Sequence, residues 1–337
     1  MSKLKSFIEG LPKCELHVHL EGTLEPGMKF QFAKRNKVKL PYKNENALRA
    51  AFDFDDLISF LVVYYEGMKV LQTEQDFFEL TYAYLNKAHS QNVLYTEMFF
   101  DPQAHTARGV SFDTVIRGIR RAQLQAEITL GIHSQLIMCF LRDWSAEFAM
   151  STLLQSLAYK EWIIGVGLDS DERNNPPDKF EQVFERARQE GYFLTMHCDV
   201  DQQDSVSNIW QVVRDIGVNR IDHGVNSLED KKLCAEIRRQ SLALTVCPIS
   251  NSYVTDGTKS DAILAMLAAE MRVTVNSDDP AYFSGYMNEN LICVQKDVQL
   301  GKPELVQLTE NAFESAWLPR ASKDRFIVEL KNYVTNN

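Results

Sequence analysis

Tyr192-Phe193-Leu194-Thr195-Met196-His197-Cys198-Asp199-Val200-Asp201 is an apolar, β-prone run that ends in a histidine and two acids. A buried strand with that ending delivers imidazole and carboxylate to a sheet edge, where a metal or a reacting ligand can meet them. Other runs end the same way. Cys14 to Leu20 alternates Leu16, Val18 and Leu20 with Glu15, His17 and His19, so His17 and His19 are expected on one side. Val93 to Phe100 stops at Asp101-Pro102-Gln103, and Ile163 to Leu168 runs into Asp169-Ser170-Asp171-Glu172. Arg220 to Asp222 is followed by His223-Gly224, and Arg272 to Asn276 by Ser277-Asp278-Asp279-Pro280. With Ile132 to Leu141, Ala243 to Cys247 and the run at Phe193, about eight strands alternate with helical stretches. That rhythm predicts an α/β fold, a (β/α)8 TIM barrel with additional helices, formed as one domain over residues 1–337.

Composition narrows the function classes. The 337 residues carry a formal net charge of -10, with the acids spread along the chain, so no basic face is available for nucleic acid. No run approaches the roughly 18 apolar residues of a membrane span, and Met1 to Pro12 has no signal-peptide core, which predicts a cytoplasmic protein without membrane contact. The six cysteines are scattered, with no CxxC pair, and read as buried reduced thiols; Cys198 beside His197 reads as a packing residue. The aromatic segment from Asp53 to Met68 is read either as a core helix or as a cover over a ligand pocket.

In a parallel barrel the C-terminal strand ends converge, which gathers His17, His19, Asp101, Asp169, His197, His223, Asp278 and Asp279. Three histidines and one acid, without thiolate, suit one catalytic Zn²⁺, with Fe²⁺ or Mn²⁺ as alternatives, and a further histidine is left as base. Residue chemistry alone reaches metal-assisted hydrolysis of a polar small molecule.

Glu15-Leu-His-Val-His-Leu-Glu-Gly22, Met196-His197, Ile221-Asp-His-Gly224, Val246-Cys-Pro-Ile-Ser-Asn251 and Val275-Asn-Ser-Asp-Asp-Pro280 stand in the order and spacing of the adenosine/adenine deaminase family, which the chain resembles over nearly its whole length. The resemblance implies a zinc held by His17, His19, His197 and Asp278. It implies that His223 deprotonates the attacking water and that Asp279 hydrogen-bonds a purine N7. Glu21, in place of the aspartate usual in nucleoside deaminases, and the stretches Glu97 to Gly109 and Gly165 to Pro177 are similar to adenine deaminases. Gly167, Asp169, Glu21 and Asp101 are therefore candidate substrate contacts. The implied reaction is hydrolytic deamination of adenine or an N6-substituted adenine. Another nitrogen heterocycle, a nucleoside, or ring opening by an amidohydrolase are the alternatives, and a homo-oligomer is compatible with the sequence.

One position departs from the family. Where the pattern reads His-Ala-Gly-Glu, this chain reads His197-Cys198-Asp199-Val200, so the glutamate that protonates N1 is absent. Asp201, or else Asp199, is expected to supply that proton. The remaining options are a substrate that needs less protonation, or a metal-binding homologue that does not turn over.

Overall fold

The computed structural model describes residues 3–337. Eight strands form it: β1 (Lys13–His19), β2 (Val93–Phe100), β3 (His133–Leu141), β4 (Gly165–Asp169), β5 (Phe193–Cys198), β6 (Arg220–His223), β7 (Ala243–Val246) and β8 (Arg272–Val275). They pair in sequence order, every pair parallel. Beyond β8 the circle is closed by a bridge between Val18 and Asp278, with His19 N–H donating to Asp278 O (2.9 Å) and Asp278 N–H to His17 O (3.1 Å). Lower down, Asn276 Oδ1 accepts from Leu16 N–H (2.9 Å), a side chain standing in for a missing ladder bond. This is the (β/α)8 barrel the strand–helix rhythm predicts.

Helices cover the outside, so β2 and β4 are buried along nearly their whole length and read as largely apolar runs, and β1 is buried throughout despite its alternating polar residues. The alternation in β1 is less regular than the sequence suggests. The β1–β2 register shifts between Glu15 and Val18, and Glu15 turns to Tyr84 OH (2.6 Å) and Ser277 Oγ (2.5 Å) instead of joining His17 and His19. Helices at Lys3–Gly10 and Glu45–Arg49 were not evident in the sequence, and the tail forms three helices from Met287 to Asn336. No helix of the described residues is long and apolar enough to cross a membrane.

The segment after Asp53 forms the helix Leu57–Met68, started by a capping box in which Asp56 Oδ1 accepts from Ser59 N–H (2.8 Å). It is both of the things its composition allowed. Phe60 and Tyr64 pack into an aromatic cluster with Phe52, Tyr282 and Phe283, and its other face covers the C-terminal mouth of the barrel.

Candidate active site

β1 carries His17 and His19, β5 ends at His197–Cys198, β6 ends at His223, and Asp278 and Asp279 follow β8. All six site residues are buried. His223 (φ 56°) and Asp278 (φ 65°) sit in the left-handed region, an uncommon conformation for residues with a Cβ. Such strain persists where the surrounding structure fixes it, and here it aims both side chains inward.

The nitrogens and one carboxylate oxygen converge. His17 Nε2 lies 3.2 Å from Asp278 Oδ1, His19 Nε2 lies 3.3 Å from the same oxygen, and His19 Nε2 faces His197 Nε2 at 3.1 Å. Two ligands of a tetrahedral ion bound at about 2.0–2.1 Å would stand about 3.3 Å apart, so these separations fit one shared cation. His223 Nε2 faces the other oxygen, Asp278 Oδ2, at 3.9 Å.

The far nitrogens show what stands behind each ring. Thr245 Oγ1 donates to Asp222 Oδ1 (3.0 Å), so it accepts from His17 Nδ1 (2.8 Å), which turns His17 Nε2 towards Asp278. Asp169 Oδ2 lies 3.5 Å from His19 Nδ1 and Asp222 Oδ2 lies 3.6 Å from His197 Nδ1. These carboxylates stand behind the rings without hydrogen-bonding the His197 Nδ1, and the Nε2 atoms of His19 and His197, 3.1 Å apart, share one proton here and could share one metal ion. Burial, then the neighbouring His17 and His19, hold His197 well below its ordinary pKa, in the neutral form a ligand requires. Asp222 is itself held by Thr195 Oγ1 (2.7 Å) and stands near Arg220, whose guanidinium pairs with Glu97 (2.5 Å) and stacks 4.2 Å from the Trp317 ring. Sequence reasoning missed Thr195, Asp222 and Thr245, although Thr195 lies two residues before His197 on the same strand face.

Above this cluster the pocket is lined by Asp101, Asp169, Ser170, Asp199, Val200 and Asp279, and on the apolar side by Leu57, Phe60, Leu61, Tyr64, Tyr65, Val254 and Phe283. Asp279 Oδ1 is buried without a partner among the described residues, and burial pushes its carboxyl up. Gly22 permits that placement, since a Cβ there would stand 2.0 Å from Asp279 Oδ1. Glu21 is not in the lining: its Oε1 accepts from the Asp101 N–H (3.2 Å) and His105 Nε2 (2.8 Å), so it braces the end of β2. Gly167 stays in the barrel wall, where a Cβ would meet Cys139 Sγ at 2.7 Å, while Asp169 and Ser170 after it reach the pocket. Cys198 is buried and its thiol is pushed well up by burial, which fits a packing role.

The family model for adenosine deaminase matches residues 12–333. The chain belongs to the adenosine deaminase family. It is 50% identical over 336 residues to an uncharacterised deaminase of Schizosaccharomyces pombe, covering 99% of both chains. It is 46% identical to the adenine deaminase of Hahella chejuensis, covering 99% of this chain and 100% of that one. The crystal structure of adenine deaminase from Arthrobacter aurescens superposes with a TM-score of 0.93 at 40% identity, covering 97% of this chain and 100% of that one.

Within this deaminase site the stretch after His197 is where the chain is distinctive. Val200 lines the pocket and offers no proton. Asp201 does not line it: its backbone turns to φ 60°, and its carboxylate meets Lys259 Nζ (2.7 Å) and Asn226 Nδ2 (3.1 Å), with 45% of the side chain exposed. Asp199 does line it, buried, with Oδ2 unpartnered. Glu172 Oε2 accepts from the Asp199 N–H (2.7 Å), and burial together with the Glu172 charge pushes the Asp199 carboxyl well up.

Proposed function

We propose that this chain deaminates adenine or an N6-substituted adenine by hydrolysis, with water attacking C6. The observation that carries the reading is the set of facing imidazole and carboxylate atoms beneath a pocket rich in carboxyls, with no lysine or arginine among the described residues lining it. A phosphate would find no lysine or arginine there, and a nucleoside would find Glu21 outside the lining with its Oε1 held by His105 and Asp101. Leu57, Leu61, Val200 and Val254 offer an apolar surface for a substituent on N6.

His17, His19, His197 and Asp278 would hold one divalent ion, zinc by the donor set. When bound, such an ion supplies Lewis acidity and a water that releases a proton near neutral pH. Burial and the nearby His17 lower the His223 pKa to about 4, so His223 is neutral and takes the water proton. Asp279, kept protonated by burial, donates to N7 and orients the ring. Asp199 takes the role expected of Asp201: protonated, it gives N1 its proton as water attacks C6. His223 passes the water's first proton to the leaving amine. The second returns to Asp199 as the C6 carbonyl forms, which leaves the lactam N1–H and ammonia or an alkylamine.

Release of ammonia or amine, with product masses, from adenine, N6-methyladenine, adenosine, adenosine monophosphate and cytosine tests this reading. Turnover confined to the 6-aminopurine bases is expected. Turnover of only nucleosides, nucleotides or cytosine, or of none with metal bound, would overturn it.

A further inference from the structure

Asp101 is a buried acid that the mechanism does not use. It is 1% exposed, ends β2 before Pro102, and lines the pocket. Its N–H is given to Glu21, and neither carboxyl oxygen has a hydrogen-bond partner among the described residues. No lysine or arginine reaches it from the lining; its neighbours there are the His19 imidazole, Asp169 and Tyr64, whose hydroxyl is also unpartnered. Leaving such a carboxyl without a donor is costly, and a ligand that brings an N–H relieves that cost.

The barrel rim says which N–H. If the proposed function holds, C6 lies at His223 on β6, N7 at Asp279 after β8, and N1 at Asp199 after β5. Strand order around the rim is continuous, so the remaining purine edge follows the remaining strands. From N1 the ring runs through C2, N3, C4, N9 and C8 to N7, while the rim runs from β5 through β4, β3, β2 and β1 to β8. N3 therefore faces the end of β4, where Asp169 stands, and N9 faces the end of β2, where Asp101 stands.

We propose that Asp101 is the residue that selects a free base, by accepting the ring N9–H that a nucleoside lacks. A 9-substituted purine removes the donor and places carbon against a buried carboxyl, a double penalty. Sites built to hydrogen-bond a substrate N–H discriminate strongly against analogues without it.

The test compares adenine, or N6-methyladenine where that is the better substrate, with its 9-methyl derivative, in wild type, Asp101→Asn and Asp101→Ser. Wild type is expected to prefer the free base. Asp101→Ser should lose about 10- to 100-fold in kcat/KM on the free base and nothing on the 9-methyl compound, so the preference collapses. Asp101→Asn, which keeps the shape and a carbonyl acceptor, should fall between. A purely structural defect lowers both substrates together and leaves the ratio unchanged. An unchanged ratio in both variants, with far-UV circular dichroism and melting intact, would overturn the assignment while leaving the deaminase reading in place. Failure of wild type on every aminopurine overturns both.

Discussion

Replacing Asp199 with asparagine separates the acid that the structure favours from the one the sequence favours. The change keeps the volume and leaves the backbone N–H bond to Glu172 Oε2 (2.7 Å) in place. The Asp199 carboxyl is already held neutral by burial and by the Glu172 charge, so a neutral amide in its place leaves the local charge unchanged and the fold should not weaken. What it removes is the proton beside N1, and loss of a general acid typically costs about 10²–10⁴ in rate. Asp201→Asn removes an exposed ion pair with Lys259, worth at most about 1 kcal/mol of stability, and nothing in the pocket. Steady-state ammonia release on the preferred base should therefore fall at least about 100-fold for Asp199→Asn and stay within about threefold for Asp201→Asn. If the two variants exchange these outcomes, Asp201 swings inward and the side-chain placement described above does not represent the working site. If both keep full rate, no carboxyl in this stretch protonates the substrate.

Other perturbations read other parts of the design. Thr245→Val removes the hydroxyl that orders His17 Nδ1 against Asp222, and metal affinity measured by chelator competition should fall about 10- to 100-fold. Gly22→Ala places a Cβ 2.8 Å from the Asp279 Cα as well as against its carboxylate, and backbone cannot swing aside; kcat/KM should fall at least about 100-fold, and near-normal activity would show that Asp279 is not needed where it stands. Lys29 is buried against Tyr282, donating to its hydroxyl (2.9 Å) with the ring 4.5 Å away, and burial lowers its pKa from 10.5 to about 7. Between those values the unfolded chain binds more protons, so Lys29 makes wild-type stability rise with pH across that window, by up to about 5 kcal/mol. The melting-temperature difference between Lys29→Met and wild type should therefore favour the variant most near about pH 7 and shrink towards about pH 10, and a pH-independent difference would refute this.

The barrel was legible because its strands are short apolar runs stopped by polar residues and proline, and each of the eight appears within about two residues of its expected place. The strand ends were legible for the same reason: His17, His19, His197, His223, Asp278 and Asp279 lie where parallel topology requires. Lateral support was not legible. Asp222 on β6 and Thr245 on β7 reach His17 across the barrel interior, although neither strand pairs with β1, and periodicity within one strand does not contain that relation. The bulge in β1 escaped for a related reason, since Glu15 fits the alternation until its partners Tyr84 and Ser277 are seen.

Asp199 and Asp201 show most clearly where one-dimensional reading stops. Alternation places both on the same face as His197, which is why either could stand in for a missing glutamate. The strand, however, ends at Cys198, and beyond it side-chain direction is set by the turn. Asp201 takes a left-handed backbone, and Asn226 fixes it through both its N–H (2.9 Å) and its carboxylate (3.1 Å), which points it away from the pocket. Asp199 keeps the inward direction, because Glu172 holds its N–H from behind. The same turn leaves Val200 on the pocket wall, where an apolar side chain cannot donate a proton but can contact carbon. A proton donor one residue closer to the metal ligand, and an apolar surface where a carboxyl would otherwise stand, are two consequences of a single local rearrangement. The choice between adenine and an N6-substituted adenine should therefore change when Val200 is altered, whereas the need for an acid should follow Asp199.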